Sequence, residues 1–223
     1  MKSVLIVGAS RGIGLEFATQ YAANNWNVFA TARDEAGLGR LRALGADALM
    51  LDVTDPAAPA RLAERVAGKD LDLAIINAGT FGPRLAAPDA PAMDDFDAVM
   101  HTNVFGPMQM LLPMAQGLKD GGKLAVLSSK MGSKGARTSA GGWVYRASKA
   151  AVNSVVKDAS IILASRSITC AAFHPGWVKT DMGGADADLT VQESVSSLRH
   201  TFLQLAAEHN GGFFDYDGTP IPW

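Results

Sequence analysis

Short runs of apolar residues alternate along the chain with longer segments in which apolar residues recur every three or four positions. The short runs are typical of buried strands, and the longer spacing is typical of helices with one buried face. The predicted strands cover residues 4–7, 27–31, 47–51, 71–76, 123–127, 168–173 and, as a short last element, 212–214. The predicted helices cover residues 14–24, 35–44, 56–67, 94–118, 143–164 and 191–208.

Local signals define the ends of several of these helices. Asp34 is placed to cap the second helix, and Asp55 followed by Pro56 is placed to start the third, because proline suits the first helical position. The long segment 94–118 is expected to bend near Gly106 and Pro107. Before it comes a stretch rich in turn-forming residues, 79–91.

The predicted strands are apolar along their whole length, which indicates that helices cover both faces of the sheet. Strict alternation of strand and helix predicts an α/β fold: a Rossmann-type, doubly wound parallel sheet of about seven strands with helices on both faces, in three layers. No segment has the composition of a linker. Residues 1–223 are therefore predicted to form one domain.

Composition and charge exclude several classes of protein. The 20 basic and 22 acidic residues give a net charge of −2, with no basic stripe, which argues against a nucleic-acid partner. The apolar stretch 4–7 is too short for a signal peptide, and no apolar run reaches the ~18 residues of a membrane span. The lone Cys170 fits a reducing compartment, so we expect a soluble, cytoplasmic protein. The four histidines show no metal-ligand spacing, and no metal site is expected.

A glycine-rich loop joins the first predicted strand to the first predicted helix. Glycines let the backbone approach a pyrophosphate, and the helix N-terminus offers free N–H groups and partial positive charge. The alternative is that these glycines only shape a tight turn. The residues predicted to contact a dinucleotide here are Gly8, Ser10, Arg11, Gly12, Ile13 and Gly14.

The ends of the next two strands bear on which dinucleotide is bound. An NAD site usually places a carboxylate at the end of the second strand, whereas this chain has Ala32 and Arg33 there. A guanidinium suits the 2′-phosphate of NADP(H), and Arg11 could join Arg33. Asp52 and Val53 end the third strand, where the Asp52 carboxylate is either an acceptor for the adenine amino group or a turn residue.

Tyr145 and Lys149 lie four positions apart on a predicted helix and therefore share one face. An ammonium near a tyrosine favours the phenolate and lowers its pKa, which would make a tuned proton donor and acceptor. Ser128 and Ser129 end the fifth strand, where a hydroxyl could hold a substrate carbonyl oxygen. The sequence thus predicts hydride-transfer chemistry with Tyr145 as the acid–base group.

Six motifs appear in one order along nearly the whole chain, and together they resemble the short-chain dehydrogenase/reductase family. Within it, residues 128–133, the Tyr-Arg-Ala-Ser-Lys box and the tail 217–223 look similar to the C-factor/sniffer-like carbonyl reductases. The motifs are residues 8–14, 77–79, 103–106, 128–129, 145–149 and 175–180.

The resemblance implies roles for individual residues. Tyr145 would be the general acid in reduction, Lys149 would lower its pKa and bind the nicotinamide ribose, and Ser129 would polarise the substrate oxygen. Asn103 would hold a water that links Lys149 to solvent. The residues implied to line the adenine side of the cleft are Asn77, Ala78 and Gly79. Those implied to shape the nicotinamide pocket are Pro175, Gly176, Val178 and Thr180.

Two departures from the family pattern affect these expectations. Ser129 lies further before Tyr145 than in many members, so Ser128 or Ser133 is an alternative catalytic serine. The stretch 181–188 is short, which predicts an open pocket and small or varied carbonyl substrates.

The leading functional hypothesis is NADPH-dependent reduction of a small-molecule aldehyde or ketone by one dinucleotide-binding and catalytic domain. The alternatives are a dinucleotide-binding signalling protein of C-factor type without essential turnover, and an NAD-linked alcohol dehydrogenase. The resemblance also implies a homodimer or homotetramer formed through the helices at 94–118 and 143–164.

Overall fold

The computed structural model describes residues 1–84 and 90–223, and the described part of the chain forms a seven-stranded sheet. The strand order is β3-β2-β1-β4-β5-β6-β7, and every pair of neighbouring strands is parallel. This order confirms the predicted doubly wound sheet. The strands are β1 (Ser3–Val7), β2 (Asn27–Ala32), β3 (Asp47–Met50), β4 (Leu71–Ile76), β5 (Leu118–Leu127), β6 (Thr169–Phe173) and β7 (Phe213–Phe214).

Helices cover both faces of the sheet, as the apolar strands predicted. One face carries α3, α5 and α6, whose Leu62, Met110 and Val156 are buried in one core. The other carries α1, α2 and α7, with Phe17 and Phe202 in a second core. The helices are α1 (Gly12–Ala23), α2 (Glu35–Ala43), α3 (Ala58–Val66), α4 (Met93–Met100), α5 (Gly106–Gly117), α6 (Trp143–Leu163) and α7 (Val191–Gln204).

Short helical turns complete the description. A π-helix, His101–Phe105, lies between α4 and α5, and 3-10 turns occupy Lys130–Gly132, Ala164–Arg166 and Ala207–His209. No helix within residues 1–84 and 90–223 combines the length and the apolar character that crossing a membrane requires.

Of the two predicted helix starts, the one at Asp34 is confirmed and the one at Asp55 is wrong. The Asp34 side chain accepts a hydrogen bond from the Gly37 amide at 2.6 Å, which confirms Asp34 as the cap of α2. The Asp55 side chain instead accepts from the Ala57 amide at 2.9 Å, so it closes a turn and α3 begins only at Ala58.

Two further boundaries differ from the prediction. The predicted helix over 94–118 is divided by the π-helix, and α5 begins at Gly106, where a bend was expected. β5 begins at Leu118, earlier than predicted, because Leu118 pairs with Leu71 at the start of β4. Of the turn-rich stretch 79–91, residues 85–89 lie outside the described residues.

Residue 14 in α1 must be glycine, because neighbouring groups lie too close to it for a side chain. A Cβ at residue 14 would overlap the Gly8 carbonyl oxygen and lie 2.6 Å from Asn77 Nδ2. At Gly39 of α2, a Cβ would meet no atom within 4 Å. The two glycines therefore share a helical backbone but differ in the space around them.

We expect Gly14→Ala to lower the free energy of unfolding by about 2 kcal/mol, because overpacking outweighs the better helix propensity of alanine. Gly39→Ala is the matched control and should raise it by roughly 0.5–1 kcal/mol, the propensity term alone. Urea unfolding followed by circular dichroism measures both. Equal effects of the two substitutions would contradict the packing explanation.

Candidate active site

A cleft of about 650 Å³ opens at the carboxyl ends of the central strands, where the strand order reverses between β1 and β4. It brings together residues from loops far apart in the sequence. The predicted residues that line it are Gly8, Ser10, Arg11, Gly12, Ile13, Arg33, Val53, Asn77, Ala78, Gly79, Tyr145, Lys149, Pro175 and Thr180. The predicted residues that do not line it are Gly14, Asp52, Asn103, Ser129, Gly176 and Val178.

The glycine loop is fixed against the end of β4. Gly8 has a φ of +88°, and a Cβ there would lie 2.7 Å from the Ala78 backbone. The Asn77 side chain donates a hydrogen bond to the Gly8 carbonyl at 2.6 Å. The loop backbone therefore borders the cleft directly, and Gly14 acts behind it as a packing residue.

The end of β2 is basic, and the structure adds one residue that the sequence analysis missed. Arg33 is exposed and lines the cleft, and the Arg40 Nε on α2 donates to the Ser10 carbonyl at 3.0 Å. Arg11 lines the cleft too, but it forms an ion pair with Asp181. The sequence feature that could have identified Arg40 is its basic side chain on the helix that follows β2.

The Asp52 carboxylate has the geometry of a turn residue. Its Oδ1 accepts hydrogen bonds from the Thr54 amide at 2.9 Å and the Thr54 hydroxyl at 2.8 Å. Its neighbours Leu51 and Val53 line the cleft, whereas Asp52 does not. The structure therefore favours the turn alternative over an adenine contact for this side chain.

Tyr145 and Lys149 are both buried on the face of α6 that meets the cleft. The Lys149 ammonium donates to the Leu127 carbonyl at 3.0 Å and lies 5.7 Å from the centroid of the Tyr145 ring. Phe81 stacks on the Tyr145 ring with 4.6 Å between centroids. Phe81 had no sequence signal, because it lies outside the six motifs.

Burial shifts the pKa of both groups. It raises the pKa of Tyr145 to about 12, while the nearby Ser129 side chain acts in the lowering direction. It lowers the pKa of Lys149 to about 8, because the buried ammonium is poorly solvated. Desolvation is the larger effect on the pKa of Tyr145 in this structure, and the expected lowering of that pKa by Lys149 stays a prediction.

The three candidate serines have different partners. Ser129 Oγ accepts a hydrogen bond from the Met131 amide at 3.1 Å, and the same side chain acts to lower the pKa of Tyr145. The Ser128 hydroxyl lines the cleft but donates to Asn153 Oδ1 at 2.6 Å, and the Ser133 hydroxyl bonds the Pro222 carbonyl. Of these three serines, only Ser129 acts on the pKa of Tyr145, although it does not line the cleft.

Asn103 lies in the π-helix and holds the loop after β4. Its side-chain amide exchanges two hydrogen bonds with the Thr80 backbone, at 2.7 and 2.8 Å, and donates to Ser148 Oγ at 3.0 Å. A Cβ at Gly79 would lie 3.3 Å from Asn103 Oδ1 and 3.5 Å from Lys149 Nζ. Asn103 thus steadies the wall beside Lys149.

The segment after β6 forms the far wall of the cleft. Pro175 and Thr180 line it together with Lys179, which the sequence analysis did not select although it precedes Thr180. Gly176 and Val178 lie behind: a Cβ at Gly176 would meet Leu189 and Tyr216, and buried Val178 pairs with Leu189.

His174 directly follows β6 and is half-buried. Burial lowers its pKa to about 4, against the raising effect of Asp215. Its ring is therefore neutral at physiological pH.

A family model described as short chain dehydrogenase matches residues 2–189. The C-signal protein of Myxococcus xanthus is 39% identical over 155 residues, which cover 69% of this chain and 93% of that protein. The carbonyl reductase Sniffer of D. melanogaster superposes with a TM-score of 0.90 at 31% identity, covering 100% of both chains. An NADPH-bound carbonyl reductase from chicken fatty liver superposes with a TM-score of 0.88 at 33% identity, covering 100% of this chain and 99% of that one.

The buried ammonium of Lys149 should cost stability. We expect Lys149→Met to raise the free energy of unfolding at pH 7 by about 2 kcal/mol. The free-energy cost of burying the ammonium is larger than the stabilisation from its hydrogen bond to Leu127, and the substitution removes both. The folded-state pKa is depressed, so the cost is fully present below pH 8 and disappears as the pH rises towards 10.5. Urea unfolding at pH 7 and pH 9.5 measures this change.

Lys157→Met, at an exposed position of the same helix, is the control and should show no such pH-dependent gain. A loss of stability in Lys149→Met at pH 7 would mean that the hydrogen bond to Leu127 dominates.

Proposed function

The chain belongs to the short-chain dehydrogenase family, as its ordered motifs predicted, and from this premise we propose that it reduces a small-molecule aldehyde or ketone with NADPH. Tyr145 is the proton donor. The observation that carries the proposal is that buried Tyr145 and Lys149 both line the cleft, with the Lys149 ammonium 5.7 Å from the centroid of the Tyr145 ring. The fold alone would not support a chemistry, because one fold serves many functions.

The residues present fit a dinucleotide with a 2′-phosphate. The loop backbone at Gly8 borders the cleft without a side chain, and the N-terminus of α1 follows it. Arg33 at the end of β2 supplies a guanidinium where an NAD site has a carboxylate, and the Arg40 Nε on α2 donates to the Ser10 carbonyl of the glycine loop. These features support NADP(H) over NAD.

When bound, the cofactor supplies a hydride for the carbonyl carbon. Ser129 donates a hydrogen bond to the carbonyl oxygen, and Tyr145 gives that oxygen its proton. Lys149 places positive charge beside the phenolate that Tyr145 becomes. Because the pKa of Tyr145 is about 12, its hydroxyl keeps its proton at neutral pH, which suits the reductive direction.

The remaining predicted site residues have supporting roles in the same proposal. Asn103 positions the wall beside Lys149, Asn77 fixes the glycine loop, and Val178 with Gly176 sets the course of the segment that carries Thr180. One catalytic domain spanning residues 1–223 and a cytoplasmic location both stay predictions from the sequence.

Self-association is part of the proposal. Exposed apolar side chains lie on one stripe of α5 and the turn before it, at Phe105, Met108 and Leu112. Ile161 and Ile162 are exposed on α6. Exposed apolar patches of this kind mark interaction sites, and they support a homodimer or homotetramer through these helices.

The likeness to C-signal supports one alternative, a dinucleotide-dependent signalling role without essential turnover. The placement of Tyr145 beside Lys149 at the cleft favours catalysis, because a protein that only binds a dinucleotide has no need of a proton donor held in this way.

Tyr145→Phe should lower kcat for NADPH-dependent reduction of a reactive aldehyde by 10²-fold or more, because it removes the proton donor. Ser129→Ala should lower kcat strongly, whereas Ser133→Ala is the matched control and should retain activity, with a loss of stability. NADPH consumption, with cofactor binding measured in parallel, separates catalysis from folding.

Turnover unchanged in Tyr145→Phe would refute the mechanism. Rescue of a deletion strain by an inactive Tyr145→Phe protein would favour the signalling alternative. Loss of turnover in Ser133→Ala but not in Ser129→Ala would transfer the catalytic role to Ser133.

Arg33→Ala should raise the KM for NADPH by about tenfold and leave the KM for NADH unchanged, because a charge-assisted contact to the 2′-phosphate is lost. Arg42→Ala, an exposed arginine on α2 that pairs with Glu35, is the control. Steady-state kinetics with both cofactors measures the preference. If Arg33→Ala keeps the full preference for NADPH, Arg33 has no part in it and Arg40 becomes the candidate.

A further inference from the structure

Phe81 stacks on the ring of the proposed proton donor. Its ring centroid lies 4.6 Å from that of Tyr145, with 28° between the two ring planes. Tyr145 is only 8% exposed, so little of it remains open to water. Of the two adjacent described residues Thr80 and Phe81, only Thr80 lines the cleft. Phe81 can therefore act on the reaction through Tyr145 and not through the bound cofactor.

The backbone on both sides of Phe81 is held in place. Before it, the Asn103 side chain exchanges two hydrogen bonds with the Thr80 backbone, at 2.7 and 2.8 Å. After it, a Cβ at Gly82 would overlap the Val99 side chain of α4. The loop that carries Phe81 therefore packs against α4 and the π-helix, which limits how far its ring can move.

The Phe81 ring has further contacts. A Cβ at Gly142, directly before α6, would lie 3.3 Å from the ring, so the ring lies against the start of this helix. The Arg84 Cζ lies 4.9 Å from the ring centroid, within the range of a cation–π interaction. The Arg84 Nη2 also donates to the Met182 carbonyl at 2.6 Å. Arg84 therefore links the ring to the segment after β6.

Proton transfer depends on where the Tyr145 hydroxyl points. The tyrosine ring turns about two side-chain bonds, and a stacked ring beside it blocks many of the orientations that these bonds allow. A misplacement of about 1 Å in a catalytic group can lower a rate by about 10²-fold. The stacked ring also takes the place of water, which would otherwise compete for the proton.

We propose that Phe81 is a positioning residue for Tyr145: it holds the tyrosine ring at the angle that directs the hydroxyl to the substrate oxygen, and it keeps bulk water from the ring. The inference rests on the proposed carbonyl reduction and adds a residue that lies outside the six sequence motifs. Phe81 touches no reacting atom in this role. Arg84 supports it through its contact with the Phe81 ring.

The kinetic test replaces Phe81 in the full chain. With NADPH and 4-nitrobenzaldehyde, Phe81→Ala should lower kcat by about tenfold or more, because the tyrosine is misplaced. The KM for NADPH should stay unchanged, because the cofactor contacts remain. Phe81→Tyr keeps an aromatic ring and should retain most of kcat. Arg84→Ala should show a smaller loss of kcat than Phe81→Ala.

Phe96→Ala is the matched control, because Phe96 is an exposed aromatic residue of α4. It should leave kcat and both KM values unchanged. Circular dichroism and urea unfolding show that each variant is folded before its kinetics are compared. A merely structural role of Phe81 would lower the free energy of unfolding and leave kcat of the folded protein unchanged.

A spectroscopic measurement gives a second readout that does not depend on turnover. The ultraviolet absorbance of tyrosinate follows the ionisation of tyrosine, and burial raises the pKa of Tyr145 to about 12. Phe81→Ala lets water reach the ring, so this pKa should fall towards its ordinary value of about 10. An ionisation that moves to lower pH, and that disappears when Tyr145→Phe is added, belongs to this tyrosine.

The charged groups around Tyr145 are the same in every Phe81 variant, so a shift in its ionisation reports the lost aromatic cover. These groups lie on α6, in the 3-10 turn after Ser129, in the loop after β4 and on the far wall of the cleft. They are Lys149, Arg146, Lys130, Arg84, Lys179 and Asp181.

The outcomes separate this inference from the proposed function. If Phe81→Ala keeps the wild-type kcat, or if Phe81→Tyr loses as much activity as Phe81→Ala, the inference is wrong and carbonyl reduction stands. A lower kcat with an unmoved tyrosine ionisation contradicts the inference as well, since the ring would then not shield the tyrosine. If the wild-type protein reduces no compound in a panel of aldehydes and ketones, carbonyl reduction itself is wrong and the inference fails with it.

Discussion

The close approach of the β1 loop to the end of β4 sets the form of the whole site. β1 connects outward to β2 and β3, whereas β4 lies on its other side, so a crevice opens where the two loops part. Gly8 and Ala78 touch at this point, with no room for a side chain between them. Because the backbone fills this space, the cofactor half of the cleft is bordered by amide groups and the catalytic half by side chains from α6.

Because α6 supplies the catalytic side of the cleft, Lys149 is buried there, and among the described residues no carboxylate forms an ion pair with it. Its ammonium meets only the Leu127 carbonyl among the described protein groups, and its pKa is lowered to about 8. A fold selected for stability alone would place an apolar side chain there. The same burial raises the pKa of Tyr145, so proton transfer depends on a local charge that the folded protein retains at a cost in stability.

The sequence was most informative where one physical rule acted alone. Strands buried on both faces are apolar throughout, so all seven strands of the sheet were predicted, with errors at their ends. The start of α3 was missed because the Asp55 side chain can close a turn as well as cap a helix, and only the tertiary context decides between the two. The π-helix at Asn103 had no signal in the apolar spacing.

Within the candidate site, the four-residue spacing and the order of the motifs predicted that Tyr145 and Lys149 act together. The sequence could not show which of the neighbouring serines lies near the tyrosine. Ser128 and Ser129 are adjacent in a strand end and so point to opposite sides, and register decides which one meets the tyrosine. Ion pairs could not be predicted from the sequence either. Arg11 and Asp181 lie 170 positions apart, and only the fold brings their side chains together.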